Sequence, residues 1–182
     1  FLLRQPRLRF PIKIPVTVDL ADTHKILIRP MDARDLAQVA AIEVEVTADP
    51  WSAKQFQQSL EDHQCLVICR QNADPTAPIG YMVMCTVLDQ AEILNIAIDP
   101  KYQGHRFGSQ LLNYGLRSLP EVIQEVLLEV RVSNFPAISL YFNYGFIEVG
   151  RRRDYYRTEF GREDAILMTL QRAVVDAGSV QS

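Results

Sequence analysis

The spacing of apolar residues changes several times along the chain, and each change predicts an element. Lys25 to Arg29 (K-I-L-I-R) alternates and is ended by Pro30, which reads as a first strand. From Ala33 to Val46 the period lengthens: Leu36, Val39, Ala40, Ile42 and Val46 approximate helical spacing, and Asp32 followed by Asp35 makes a capping-box-like start. Asp49-Pro50 breaks this helix. Ser52 then caps a second, shorter one whose Phe56 and Leu60 lie four apart on one face, with Trp51 at the joint.

Short apolar runs follow. Cys65 to Cys69 (C-L-V-I-C) and Ile79 to Leu88 read as a hairpin around the turn-rich segment Asn72 to Pro78, and Asp89-Gln90 turns the chain into a third strand, Glu92 to Asp99. Pro100 ends that strand. Gly104 to Gly108 opens a helix carrying Leu111, Leu112, Tyr114, Gly115 and Leu116, and Pro120 closes it or begins the link beyond. Val126 to Val132 (V-L-L-E-V-R-V) has the apolar character of a strand buried on both faces of a sheet. A helix from Asn134 to Tyr144 stops at Gly145, and Phe146 to Gly150 and Ala165 to Leu170 are the last two strands. The order is strand, two helices, three strands, helix, strand, helix, two strands.

Composition narrows the setting. A chain of 182 residues suits one packed core better than two. The expected division is an extension over residues 1–22, flexible or strand-like, one domain over residues 23–172, and a disordered tail over residues 173–182. The extension carries Arg4, Arg7, Arg9 and Lys13 without an acid, a pattern also found in presequences and RNA-contacting arms. A net charge of -3 gives no global basic field, so DNA binding is not expected. Cys65, Cys69 and Cys85 are odd in number and sit in strand-like runs, which argues for buried thiols in a reducing compartment. His24, His63 and His105 are scattered, and no metal is expected. No apolar run approaches the roughly 18 residues of a membrane span, so a cytoplasmic protein without a membrane partner is expected.

Three constellations carry chemistry. The junction Asp99 to Gly108 runs from a strand through a glycine-bearing turn into a helix start, where free N–H groups and the positive end of the helix dipole suit a pyrophosphate; a turn that merely needs glycine would look the same. Glu129 interrupts an otherwise apolar strand. It reads as a general base with a raised pKa or as one half of an ion pair, with Arg131 on the same strand face. Asn134 is a good helix cap, and Tyr141 lies two turns further along on nearly the same face. A phenol there can protonate a departing thiolate or simply pack in the core, as Tyr144 beside it is expected to do.

Taken together, these segments resemble the GNAT acetyltransferases, and among them the bacterial ribosomal-protein-alanine N-acetyltransferases of the RimI type. The resemblance runs from about Ile26 to Leu170. It is carried by Pro50-Trp51-Ser52, Leu94 to Pro100, Leu128 to Asn134, Ala137 to Tyr141, Gly145-Phe146, Arg152-Arg153-Asp154-Tyr155-Tyr156 and Gly161 to Ile166. It implies an α/β (α+β) fold with a central mixed, mostly antiparallel sheet of about seven strands flanked by about four helices.

It also implies acetyl-CoA as cosubstrate, with backbone groups of Ile96, Ala97 and Ile98 along the pantetheine arm. Gln103, Gly104, His105, Arg106, Phe107, Gly108 and Ser109 would cradle the pyrophosphate, and Asn134 would lie near the thiol. Glu129 would be the general base and Tyr141 the general acid. N–H groups freed by a bulge in the cofactor strand would polarise the acetyl carbonyl. The acceptor implied is a protein N-terminal α-amine, the N-terminal alanine of protein eighteen of the ribosomal small subunit, and the enzyme a monomer or weak dimer. Acetylation of a small-molecule or lysine amine would use the same residues, and a GNAT-fold binding module would keep the fold without the chemistry. Two departures stand out: Arg106 occupies the fourth position of the usual Q-x-x-G-x-G loop, and Arg157 follows the paired tyrosines where proline is frequent.

Overall fold

A computed structural model of the protein describes residues 16–18, 26–70 and 77–172. Within them, strands β1 (Val16–Val18), β2 (Ile26–Pro30), β3 (Gln64–Arg70), β4 (Pro78–Val87), β5 (Gln90–Ile98), β6 (Glu125–Arg131), β7 (Ile147–Thr158) and β8 (Gly161–Gln171) form one sheet in the order β1-β2-β3-β4-β5-β6-β8-β7. The helices are α1 (Leu36–Val46), α2 (Ala53–Asp62), α3 (Phe107–Ser118) and α4 (Phe135–Asn143). The strand count exceeds the expected seven by β1, a three-residue strand paired antiparallel to β2. Every described pairing is antiparallel except β5 with β6.

Local chemistry sets the helix starts. Asp32 accepts from the Arg34 N–H while Asp35 returns a bond to the Asp32 N–H, and a short 3-10 turn over Ala33–Asp35 leads into α1. Ser52 and Gln55 repeat the device at α2. Alternation in the strands then divides the core. On one face Ile28, Leu66, Ile68, Met82 and Met84 meet Leu111 and Leu112 of α3 and Tyr141 of α4. On the other, Val67, Tyr81 and Val83 meet Val39 and Ile42 of α1 and Phe56 of α2. The central strands β3 and β4 are therefore buried on both faces.

Two expectations need correction. β6 is not buried on both faces: Val126, Leu128 and Val130 are buried, while Leu127, Glu129 and Arg131 alternate with them on a half-open face. The last two strands also run far beyond Phe146–Gly150 and Ala165–Leu170, forming a hairpin that turns at Glu159-Phe160. β7 is an edge strand exposed along most of its length, so it shows no apolar alternation to read. Lys25, most of the expected loop over residues 72–78, most of the extension over residues 1–22 and the tail over residues 173–182 lie outside the described residues.

Candidate functional site

The site begins with a failure of strand pairing. β5 and β6 pair in parallel from Gln90↔Glu125 to Ile93↔Leu128 and no further, although β5 continues to Ile98 and β6 to Arg131. At the point of divergence the β4–β5 register slips: Val83 faces Asn95 and Met84 faces Ile93, so Leu94 is the extra residue of a bulge. The bulge turns β5 away from β6. Beyond it, the backbone edge of β5 that carries Ile96, Ala97 and Ile98 has no β6 partner, leaving donors and acceptors for an extended ligand.

That edge leads to the glycine-bearing loop. Gln103 donates from its side-chain amide to the Ile98 carbonyl at 3.0 Å and folds the turn back on β5. Gly104 has φ +80, and Arg106, the N-cap of α3, sits in the left-handed region at φ 62. The substitution noted in the sequence therefore falls at a backbone position that favours glycine. The helical ladder of α3 starts with Gln110 N–H to Arg106 O, so the amides of Gly108 and Ser109 lie in the first turn, ahead of the ladder. Phe107 is buried in the core, and His105 lies 5.8 Å from its ring. A Cβ on Gly108 would lie 3.7 Å from Ile98 and 3.8 Å from Leu140, so this turn adjoins both the end of β5 and α4.

On the other side of the divergence is a cavity of about 330 Å³. Glu92, Ile93 and Leu94 of β5, Glu129 of β6, Arg152, Tyr155 and Tyr156 of β7, and Trp51 line it. The β7 residues reach it through a second irregularity: Arg152 pairs with Ala165 and the next pair is Tyr156 with Glu163, so three residues bulge opposite Asp164. Asp154, at φ 50, anchors the bulge by donating its N–H to Asp164 Oδ1 at 3.0 Å. Glu129 pairs with Arg152 at 3.0 Å rather than with Arg131. Arg131 is held elsewhere, by Glu163 at 3.0 Å, by Thr47 at 3.2 Å and over the Tyr156 ring at 4.3 Å. Burial and the Glu129 charge raise Glu92 above the ordinary carboxylate value, against a weaker opposing effect of Arg152. Burial, then Glu129, push the Tyr156 phenol up to about 12.

Tyr141 points inward. It is 5% exposed, packs on Phe146 with ring centroids 5.7 Å apart, and burial raises its phenol well above the thiol range. Tyr156 is within electrostatic reach of both Tyr141 and Glu129. Asn134 is exposed at the start of α4, where its side-chain oxygen accepts from Ala137 N–H at 3.2 Å. Tyr144, expected to pack, also bonds: its hydroxyl donates to the Ser109 carbonyl at 2.7 Å and tethers α4 to the first turn of α3.

Sequence reasoning did not single out Glu92, Arg152, Tyr155, Tyr156 or Glu43 as site residues. Glu43 of α1 is 3% exposed and accepts from Asn95 Nδ2 at 3.0 Å, from the Trp51 N–H at 3.1 Å and from the Tyr81 hydroxyl. This network fixes the Trp51 wall of the cavity to β5 just past its bulge. Among the described residues no group of histidine, cysteine and carboxylate side chains is arranged to hold a metal, and no helix is long and apolar enough to cross a membrane.

A bulged and splayed strand pair therefore adjoins a glycine-bearing loop at a helix start at one end and a cavity with a carboxylate across the gap at the other. The Acetyltransferase (GNAT) family matches residues 31–146. The [ribosomal protein bS18]-alanine N-acetyltransferase of Escherichia coli K12 is 38% identical over 141 residues, covering 77% of this chain and 93% of that protein. A Bacillus subtilis protein described as a putative enzyme of the same kind is 36% identical over 150 residues, 79% of this chain and 94% of that one. The crystal structure of the Escherichia coli ribosomal-protein-S18-alanine N-acetyltransferase superposes with a TM-score of 0.73 at 34% identity, covering 86% of this chain and 99% of that one. Arabidopsis thaliana NAA60, solved with a bisubstrate analogue, shares the fold at 21% identity, with a TM-score of 0.73 over 80% of this chain and 97% of that one. With the family match, these relatives and the fold in agreement, the chain belongs to the GNAT acetyltransferase family.

Proposed function

We propose that this protein transfers the acetyl group of acetyl-CoA to the N-terminal α-amine of alanine on ribosomal small-subunit protein bS18, acting in the cytoplasm through a domain spanning residues 23–172. The observation that carries this reading is the divergence of β5 and β6 at Leu94, with Glu129 facing the gap. The names of the relatives at 36–38% identity support the acceptor. The free β5 edge at Ile96, Ala97 and Ile98 suits the amide-bearing arm of acetyl-CoA, and the first-turn amides of Gly108 and Ser109 suit its pyrophosphate.

In this reading the acceptor enters as an ammonium, since a peptide α-amine has a pKa of about 8. Glu129 removes one proton. The neutral amine attacks the thioester carbonyl, whose developing oxyanion is met by amide N–H groups at the β5 bulge. As the C–S bond breaks, Tyr141, whose raised phenol stays protonated across the working range, supplies a proton to the thiolate; the second amine proton restores the phenol, and Glu129 returns the first to solvent.

The test uses synthetic peptides that begin with the bS18 N-terminus, carry one internal lysine, and differ only in whether the α-amine is free or blocked. Labelled acetyl-CoA should modify the free peptides and leave the blocked ones unlabelled. Equal labelling of both sets assigns the activity to a lysine amine and overturns the N-terminal reading.

A further inference from the structure

The acceptor cavity contains two carboxylates and one loosely held cation. Glu92, Glu129 and Arg152 line the same space, and Arg152 and Glu129 both act electrostatically on Glu92. Arg152 Nη1 lies 3.0 Å from Glu129 Oε1, yet its side chain is 53% exposed, against 16% for Glu129. Tyr155 meets both partners: its ring lies 5.2 Å from the Arg152 guanidinium, and its hydroxyl interacts with Arg152 and Glu129. The Arg152 side of the pair is half open to solvent, where screening keeps the contribution of an ion pair small. Arg131 is the other cation nearby, and it is engaged with Glu163, Thr47 and the Tyr156 ring. A peptide N-terminus arrives as a compact cation with three N–H donors, so it has the same claim on these carboxylates as the guanidinium does.

We infer that Arg152 is a resident stand-in for the acceptor's ammonium group: it occupies Glu129 in the free enzyme, and the acceptor binds by displacing it, with Glu92 holding the incoming ammonium. The inference rests on the acceptor and base assignments of the proposed function. Displacement breaks the Arg152–Glu129 pair and turns the guanidinium outward toward Tyr155 and solvent. One ammonium proton then passes to Glu129, and the charge held by Glu92 falls from +1 to 0 as the amine becomes nucleophilic. Product leaves as a neutral amide, which has no charge to hold it in the pair, and Arg152 returns. The device favours cationic acceptors and releases acetylated ones.

Steady-state kinetics at saturating acetyl-CoA test this, with a free-amine peptide as acceptor and methylguanidinium as a probe for the vacated position. Arg152→Ala should lower the acceptor KM about two- to fivefold, the range expected on removing a half-exposed competitor. Methylguanidinium at millimolar concentration should inhibit that variant competitively against the peptide and the native enzyme several-fold more weakly. Glu92→Gln should raise the acceptor KM about fivefold or more with little change in kcat.

A folding control comes from Glu92 itself. Its folded-state pKa lies above its unfolded value, so its contribution to stability is fully present below the unfolded value and is lost as pH rises through the folded one. Glu92→Gln should therefore melt no lower than the native protein at pH 7, which separates a weakened acceptor site from a weakened fold. A raised or unchanged KM in Arg152→Ala, or equal methylguanidinium inhibition of variant and native enzyme, overturns the displacement. The base assignment fails separately, by unchanged turnover of Glu129→Gln at neutral pH.

Discussion

The two ends of the proposed site are built differently. The end proposed for the cofactor comes from one continuous stretch, Ile96 to Gln110, and would work through backbone: a free strand edge, a turn closed by Gln103 and the first amides of α3. The end proposed for the acceptor is assembled from side chains on four distant segments, Trp51, Glu92 to Leu94, Glu129, and Arg152 to Tyr156, brought together by one bulge in β5 and another in β7. Backbone recognition depends on local conformation and tolerates changes of side chain. Side-chain recognition depends on long-range register, and single substitutions should affect it most.

The largest difference between the ends is expected at Glu129. Removing a general base typically costs about 10²–10⁴-fold in rate. Glu129→Gln should fall within that range at pH 7. Near pH 9.5, where an amine with a pKa of about 8 has already lost its proton, the deficit should shrink to about tenfold or less. Acetyl-CoA affinity, set at the other end, should stay within about twofold by calorimetry, a difference close to the edge of detection in ΔG. An equal loss at both pH values would make Glu129 an ion-pair residue for Arg152 and nothing more.

A smaller, structural effect is expected at Glu43. Glu43→Ala leaves the Trp51 N–H and the Asn95 amide without their acceptor and the Tyr81 hydroxyl with only Asn95 Oδ1, 3.3 Å away, at a cost of about 2–4 kcal/mol by denaturant titration. Trp51 is the only tryptophan of the chain, so its emission reports on the acceptor wall directly. Emission should shift to the red in the folded variant as the wall loosens. An unshifted spectrum with full stability would show that packing on Phe56, 5.4 Å away, holds Trp51 without the carboxylate.

Which parts were legible from sequence follows the same division. Helix starts are local devices, and Asp32 with Asp35 and Ser52 at α2 were readable because the whole device fits within four residues. The glycine-bearing loop was readable for the same reason. Glu129 stood out as a charge in an apolar run, but its partner did not: residues two apart on a strand share a face, which pointed to Arg131, whereas the observed partner, Arg152, arrives from β7 with β8 lying between the two strands. No spacing rule spans that distance. Glu92 looked like an ordinary strand start, and the exposed residues 151–158 offered no alternation to mark the strand that brings Arg152, Tyr155 and Tyr156 to the cavity.

The smallest expected effect lies at the backbone end, at Arg106. A left-handed conformation costs a non-glycine residue about 1–2 kcal/mol, and glycine gives back about 0.4–1 kcal/mol through its freer unfolded chain. Arg106→Gly should thus gain about 0.5 kcal/mol, a rise of about 1–2 °C in Tm for a chain of this size. In the proposed site the exposed guanidinium beside the first-turn amides of α3 would add a screened attraction to a pyrophosphate, so the same variant should bind acetyl-CoA a few-fold more weakly at low salt and almost equally at high salt. Arg106→Ala separates the two effects, because it removes the charge but keeps the strain: it should lose the low-salt affinity without the gain in Tm. If both variants bind acetyl-CoA as the native protein does at low salt, the cofactor end works through its backbone alone, and the contrast with the acceptor end is complete.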